Sequence, residues 1–139
     1  MSDLESGVRF EDVELGDDLP ELEPDVSAER VRRFARAAGM NHPRFTDPEK
    51  ARAEGLPGAI VPGIMSQALL AVMIHRWAPG CTIRKLDTVF RAPVLVDSRP
   101  VLRGVVTDVD EDERTVEIDL TVADEAGETR VVGTAIVEL

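Results

Sequence analysis

Apolar residues first fall into step at Val31, Phe34, Ala35 and Ala38, the i, i+3, i+4, i+7 spacing of one helical face. Ser27 stands ahead of them as an N-cap, Glu29 suits the positive end of a helix, and Gly39 follows as a stop. Upstream, Leu15-Gly16-Asp17-Asp18, Pro20 and Pro24 show no helical period and predict a short strand and an extended lead-in on the surface. Pro43, Pro48, Pro57 and Pro62 break the next stretch; a short helix is expected over Pro48 to Glu54, with Asp47 as N-cap and Pro48 at its first position. From Gly63 to Trp77 the pattern changes. Ile64, Met65, Ala68, Leu69, Leu70, Val72, Met73, Ile74 and Trp77 make a helix apolar on nearly every side, which must be buried.

After Ala78-Pro79-Gly80 the period drops to two. Val116, Ile118, Leu120 and Val122 alternate with Thr115, Glu117, Asp119 and Thr121, so one face of a strand is apolar. Strands are predicted at Thr82 to Pro93, Pro100 to Val109, Thr115 to Ala123 and Arg130 to Leu139, with turns at Asp110-Glu111-Asp112-Glu113 and Glu125-Ala126-Gly127-Glu128. Four consecutive antiparallel strands after one apolar helix predict an α+β design in which a sheet curls around that helix. With 139 residues, the whole chain is expected to form one domain, and 43% hydrophobic composition supplies its core.

Composition narrows the chemistry. A formal charge of -11 opposes binding to nucleic acids and anionic membranes, whose phosphates would be repelled. The apolar run from Ile64 to Ile74 is too short to span a bilayer, and the first dozen residues are polar and acidic, which predicts a soluble, unexported, cytoplasmic chain. Cys81 stands alone, and His42 and His75 are the only imidazoles. No disulfide, metal site or cofactor is expected.

The segment Gly39-Met40-Asn41-His42-Pro43-Arg44-Phe45-Thr46-Asp47 resembles the pattern G-D-x-N-P-x-H-x-D, and Ala51-Arg52 through Ile60-Val61-Pro62-Gly63-Ile64-Met65 resembles A-R-x-x-G-x-x-G-x-I-V-H-G-M. Both belong to MaoC-like hydratases and dehydratases, and Val89-Phe90-Arg91-Ala92-Pro93-Val94 resembles a strand segment of the same family. The resemblance implies the hot-dog fold, an antiparallel curved sheet wrapped around a buried central helix. It also implies an enoyl or 3-hydroxyacyl thioester as ligand, carried by CoA or a carrier protein, within fatty acid or polyketide metabolism.

In that family an Asp and a His hold the water that adds to, or leaves, the acyl chain. Here those positions are Met40 and Phe45, neither of which transfers a proton. Positioned acid-base groups contribute on the order of 10² to 10⁴ in rate. By resemblance, Met40, Phe45, Gly63 and Ile64 are the expected substrate-binding residues, with a backbone N–H at Gly63 polarising the thioester carbonyl. Asn41 and His42 are the remaining catalytic candidates. Asp47 reads as a helix cap, and His75 and Arg76 as positive groups at a helix end. Ser66 and Gln67 lie where related thioesterases place polar groups. Arg84, Lys85, Arg91, Arg99 and Arg103 are either solvated strand residues or contacts for CoA phosphates.

Three functions remain open at this point. One is a hydratase or dehydratase with an unusual water-handling set. Another is a non-catalytic subunit that pairs with a complete homologue, with Met40 and Phe45 adding apolar wall. The third is a thioesterase-like acyl-CoA protein. A homodimer, or a heterodimer with another hot-dog chain, is expected in each case, because a curved sheet leaves edges to cover.

Overall fold

The computed structural model describes residues 7–139. A 3₁₀ turn at Phe10–Asp12 leads to helices α1 (Ala28–Ala37), α2 (Pro43–Thr46), α3 (Pro48–Ala53) and α4 (Gly63–Trp77). Strands β1 (Thr82–Phe90), β2 (Val101–Asp110), β3 (Thr115–Ala123) and β4 (Thr129–Glu138) follow. The strands form one antiparallel sheet in the order β1-β4-β3-β2.

Local chemistry explains most boundaries. The Ser27 hydroxyl accepts the Arg30 N–H, and α1 ends before Gly39, whose φ of 69° is costly for any residue with a Cβ. Asp47 Oδ1 accepts the Glu49 and Lys50 amides at 3.1 and 3.2 Å, capping α3 as its sequence predicts. β1 stops three residues earlier than expected. The amides of Arg91 and Ala92 both point at one carbonyl, Arg130 O, which ends the regular ladder, and Pro93 has no N–H with which to resume it.

The alternation read from the sequence places Val116, Ile118, Leu120 and Val122 inward, beside Leu102 and Val106 of β2 and Val131, Ala135 and Val137 of β4. These form one core with Met65, Leu70, Met73 and Ile74 of α4. Register shifts at Ile83/Lys85 and Val106/Asp108 interrupt the two outer ladders, the kind of irregularity that lets a strand bend. Gln67 Nε2 donates to Leu86 O and Thr88 Oγ1 at 3.4 and 3.2 Å, tying α4 to the edge strand. This sheet wrapped on a central helix is the hot-dog arrangement.

Two expectations need correction. The lead-in before α1 does not lie on the surface, although its residues 1–6 fall outside those described. Val13, Leu19 and Val26 are buried, and bridges Asp18↔Val105 and Leu22↔Leu102 seat the segment along β2, where it covers that edge. Nor is α4 covered all round. Its sheet-facing side is buried, while Ile64, Ala68 and Val72, four residues apart, face outward, with Ile64 54% and Val72 40% exposed. A single four-stranded sheet covers one side of a helix only. Val89 and Phe90 on the edge strand are exposed as well.

Candidate functional site

The chain between α1 and α4 is pinned at both ends of a short crossing. Met40 N–H returns to Ala35 O at 2.7 Å after the Gly39 turn. His42 then caps α2, an element too short to show a period in the sequence: its Nδ1 accepts the Arg44 backbone N–H and the Arg44 Nε–H, both at 3.2 Å. Further on, Ile60 N–H donates to Arg44 O and Val61 N–H to Val94 O, so the strip before α4 lies between α2 and the loop after β1.

A cleft of about 410 Å³ opens where these pieces meet the start of α4. Phe45, Ile60, Val61, Phe90, Val94 and Val131 make it mainly apolar, and Gly63, Ser66, Arg44 and Arg91 add polar groups. Phe90 and Val131 are register partners on β1 and β4. A Cβ placed on Gly63 would lie 3.0 Å from the tip of the Phe90 ring, so glycine lets the ring pack closely here, and a larger residue would push it aside.

The helix end facing the cleft has no side-chain cap. Its N-cap is Pro62, whose carbonyl accepts the Met65 and Ser66 amides at 2.9 and 3.2 Å. The first two amides, those of Gly63 and Ile64, have no acceptor among the described residues. Two N–H groups and the positive end of a 15-residue helix are thus available to an oxygen ligand. Ser66 is only 5% exposed, and its hydroxyl makes no hydrogen bond among the described residues. Every fully enclosed side-chain N or O there has a partner, so the Ser66 hydroxyl must open into the cleft. A helical serine more often bonds back to the carbonyl four residues earlier.

Of the six residues singled out from the sequence, Phe45 and Gly63 come together in this wall. Met40, Asn41, His42 and Ile64 are not part of it. The His42 side chain is 46% exposed, 3.9 Å from Glu54, and its Nδ1 is already occupied by Arg44. Gln67 is spent on β1. Arg84, Lys85 and Arg103 pair with Glu138, Asp87 and Glu21, so they do not gather into a cluster. The sequence reading missed Ile60, Phe90, Val94 and Val131 as wall residues.

Cys81 Sγ lies 3.6 Å from His75 Nδ1, but burial pushes the thiol above its ordinary range, which opposes a thiolate nucleophile. Among the described residues no three His, Cys, Asp or Glu side chains stand together as metal ligands. No helix there is long and apolar enough to cross a membrane.

Residues 15–127 match the sequence profile of the MaoC like domain. A UPF0336 protein of Clavibacter michiganensis subsp. michiganensis is 35% identical over 81 residues, 57% of this chain and 54% of that relative, so the match spans about half of the relative's length. The fold is similar to the (R)-hydratase from A. caviae involved in PHA biosynthesis, with a TM-score of 0.87 at 23% identity, covering 92% of this chain and 98% of that one. It is also similar to a chain of the ChsH1-ChsH2 complex from Mycobacterium tuberculosis, with a TM-score of 0.84 at 20% identity, covering 91% and 98% respectively.

Proposed function

The chain belongs to the MaoC-like hydratase/dehydratase family, and from that premise we propose that it binds an acyl thioester of CoA or a carrier protein without supplying the family's proton-transfer pair. The observation that carries this reading is the uncapped start of α4, opening on a largely apolar cleft in which Phe45 stands at the position where the family resemblance expects a histidine. The free amides suit a thioester carbonyl. Each hydrogen bond of this kind contributes about 0.5–1.5 kcal/mol net, and it stabilises charge on that oxygen where water is excluded. The apolar wall suits the acyl chain, and Arg91 at the rim suits an anionic carrier. Met40, Asn41 and Ile64 are not among the cleft's lining residues, and His42 serves as the α2 cap rather than as a base.

In this reading the chain is the acyl-binding member of a cytoplasmic dimer, and a second hot-dog chain contributes the Asp and His. Ile64, Ala68 and Val72 on α4, with Val89 and Phe90 on the edge strand, are the apolar surface that such a partner would cover. The fold similarity to a chain of the two-component ChsH1-ChsH2 complex supports the same arrangement.

Calorimetry with acyl-CoA and loss of enoyl absorbance from crotonyl-CoA test the proposal together. The expected result is thioester binding by the purified chain with no hydration, and hydration once a homologue with an intact Asp/His loop is added. Hydration by this chain alone, abolished by His42→Ala, would overturn the supporting role. Absence of binding to any acyl thioester would overturn the reading of the cleft itself.

A further inference from the structure

The cleft beside α4 holds more hydrogen-bond donors than one carbonyl oxygen requires. Gly63 and Ile64 leave two amides unbonded in the first turn, and Ser66 adds a hydroxyl. Side chains on a helix tilt toward its N-terminus, and residues three apart share a face, so this hydroxyl stands over the turn that Gly63 opens. Ser66 is only 5% exposed, lines the cleft, and has no hydrogen-bond partner among the described residues. A buried hydroxyl without a partner costs stability, and a ligand oxygen restores the missing bond.

The start of α4 also lacks the negative charge that the other helices carry. Ser27 and Glu29 answer the positive end of α1, and Asp47 and Glu49 answer that of α3. α4 is the longest helix described, yet it has no capping side chain and no acidic residue in its first turn. The cleft wall repeats this. The chain carries 27 acidic residues against 16 basic ones, but Arg44 and Arg91 line the cleft and no carboxylate does. Arg44 is already held by Glu54 at 3.3 Å, so the unanswered charge in the cleft is chiefly that of the helix end.

We infer that the cleft also binds a free aliphatic carboxylate, a fatty acid whose head sits at the α4 N-terminus and whose tail lies along Phe45, Ile60, Val61 and Phe90. A carboxylate has two oxygens with about four lone-pair sites, enough for both amides and the Ser66 hydroxyl together. A thioester carbonyl has one oxygen and leaves a donor over. The bonds to a carboxylate are charge-assisted, roughly twice as strong as neutral ones, and a helix N-terminus favours an anion. The head-group assignment rests on these donors alone. Competition between the free acid and an acyl thioester for one cleft rests on the acyl-thioester reading as well.

Calorimetry on the full chain at neutral pH, where the acid is ionised, tests this with octanoate, 1-octanol, octylamine and acetate. The first three share a tail and differ in head charge, and acetate is the head without the tail. Octanoate is expected to bind at least about tenfold more tightly than octanol or acetate, and octylamine not to bind. Ser66→Ala should weaken octanoate by about tenfold, the scale of one hydrogen bond to a charged group, while leaving octanol unchanged. Circular dichroism should show the variant folded, and octanoate should displace octanoyl-CoA one for one.

Octanoate binding no tighter than octanol would overturn the carboxylate, and octanoate affinity unchanged in Ser66→Ala would overturn the role of the hydroxyl. Acetate binding as tightly as octanoate would overturn the aliphatic ligand. Binding of octanoyl-CoA without octanoate would overturn this inference and leave the thioester reading standing. Binding of octanoate without octanoyl-CoA would do the reverse.

Discussion

The two sides of α4 have nearly the same chemistry and opposite surroundings. Met65, Leu70, Met73 and Ile74 sit under the chain's own sheet, while Ile64, Ala68 and Val72 face outward with nothing over them. Hydrophobicity along a helix reports how much apolar surface must be covered and does not report by whom. One side is completed by folding, and the other is not covered by this chain's own sheet.

The largest expected effect comes from the covered side. Leu70→Ala removes a fully buried side chain and should lower the unfolding free energy by about 2–5 kcal/mol in urea titration. A loss under about 1 kcal/mol would mean that the two sides do not differ as described.

On the outer side, Val72→Asp should leave stability within about 1 kcal/mol of wild type, yet shift sedimentation from a dimer to a single chain. Wild-type protein that sediments as a single chain at every concentration would break the comparison. Phe45→Ala, at the cleft where the helix begins, should weaken acyl-CoA binding by about tenfold in calorimetry while sparing dimer mass.

Ser66→Ala sharpens the contrast within the buried side itself. The hydroxyl has no partner to lose, so the melting temperature should hold or rise slightly, whereas removal of a bonded buried hydroxyl costs about 1 kcal/mol.

The smallest effect tests a site away from both sides. The Glu128 N–H, and then Arg130, hold the Asp124 carboxyl below its ordinary range. Because the folded value is lowered, its stabilising contribution is complete above about pH 4 and fades as pH falls through the lowered value. Asp124→Asn should therefore melt slightly below wild type near pH 7, with the gap closing in strong acid.

Much of this was legible in the sequence because it is periodic. The α4 boundaries, the β3 strand, the Ser27 and Asp47 caps and both hairpin turns follow from spacing and local hydrogen bonding. The lead-in was not legible: Val13, Leu19 and Val26 are spaced irregularly, and they are buried because β2 offers an edge, which no local pattern reveals. α2 escaped notice because four residues cannot show a period and its start depends on one histidine lone pair.

The candidate site divides in the same way. Phe45 and Gly63 stood in a recognisable motif, but Phe90 and Val131 reach the cleft through the pairing of strands about forty residues apart.

Phe90 belongs to two surfaces at once. Its ring is part of the cleft wall against Gly63, and it is also 52% exposed on the outer edge strand. A ligand that prefers one position of that ring and a neighbouring chain that prefers the same one must each tighten the other's binding by an equal factor, because the free energy of moving the ring is shared between them. Were such a ligand and such a neighbour both to bind, the two equilibria would be linked, and the concentration of either would shift the apparent affinity of the other.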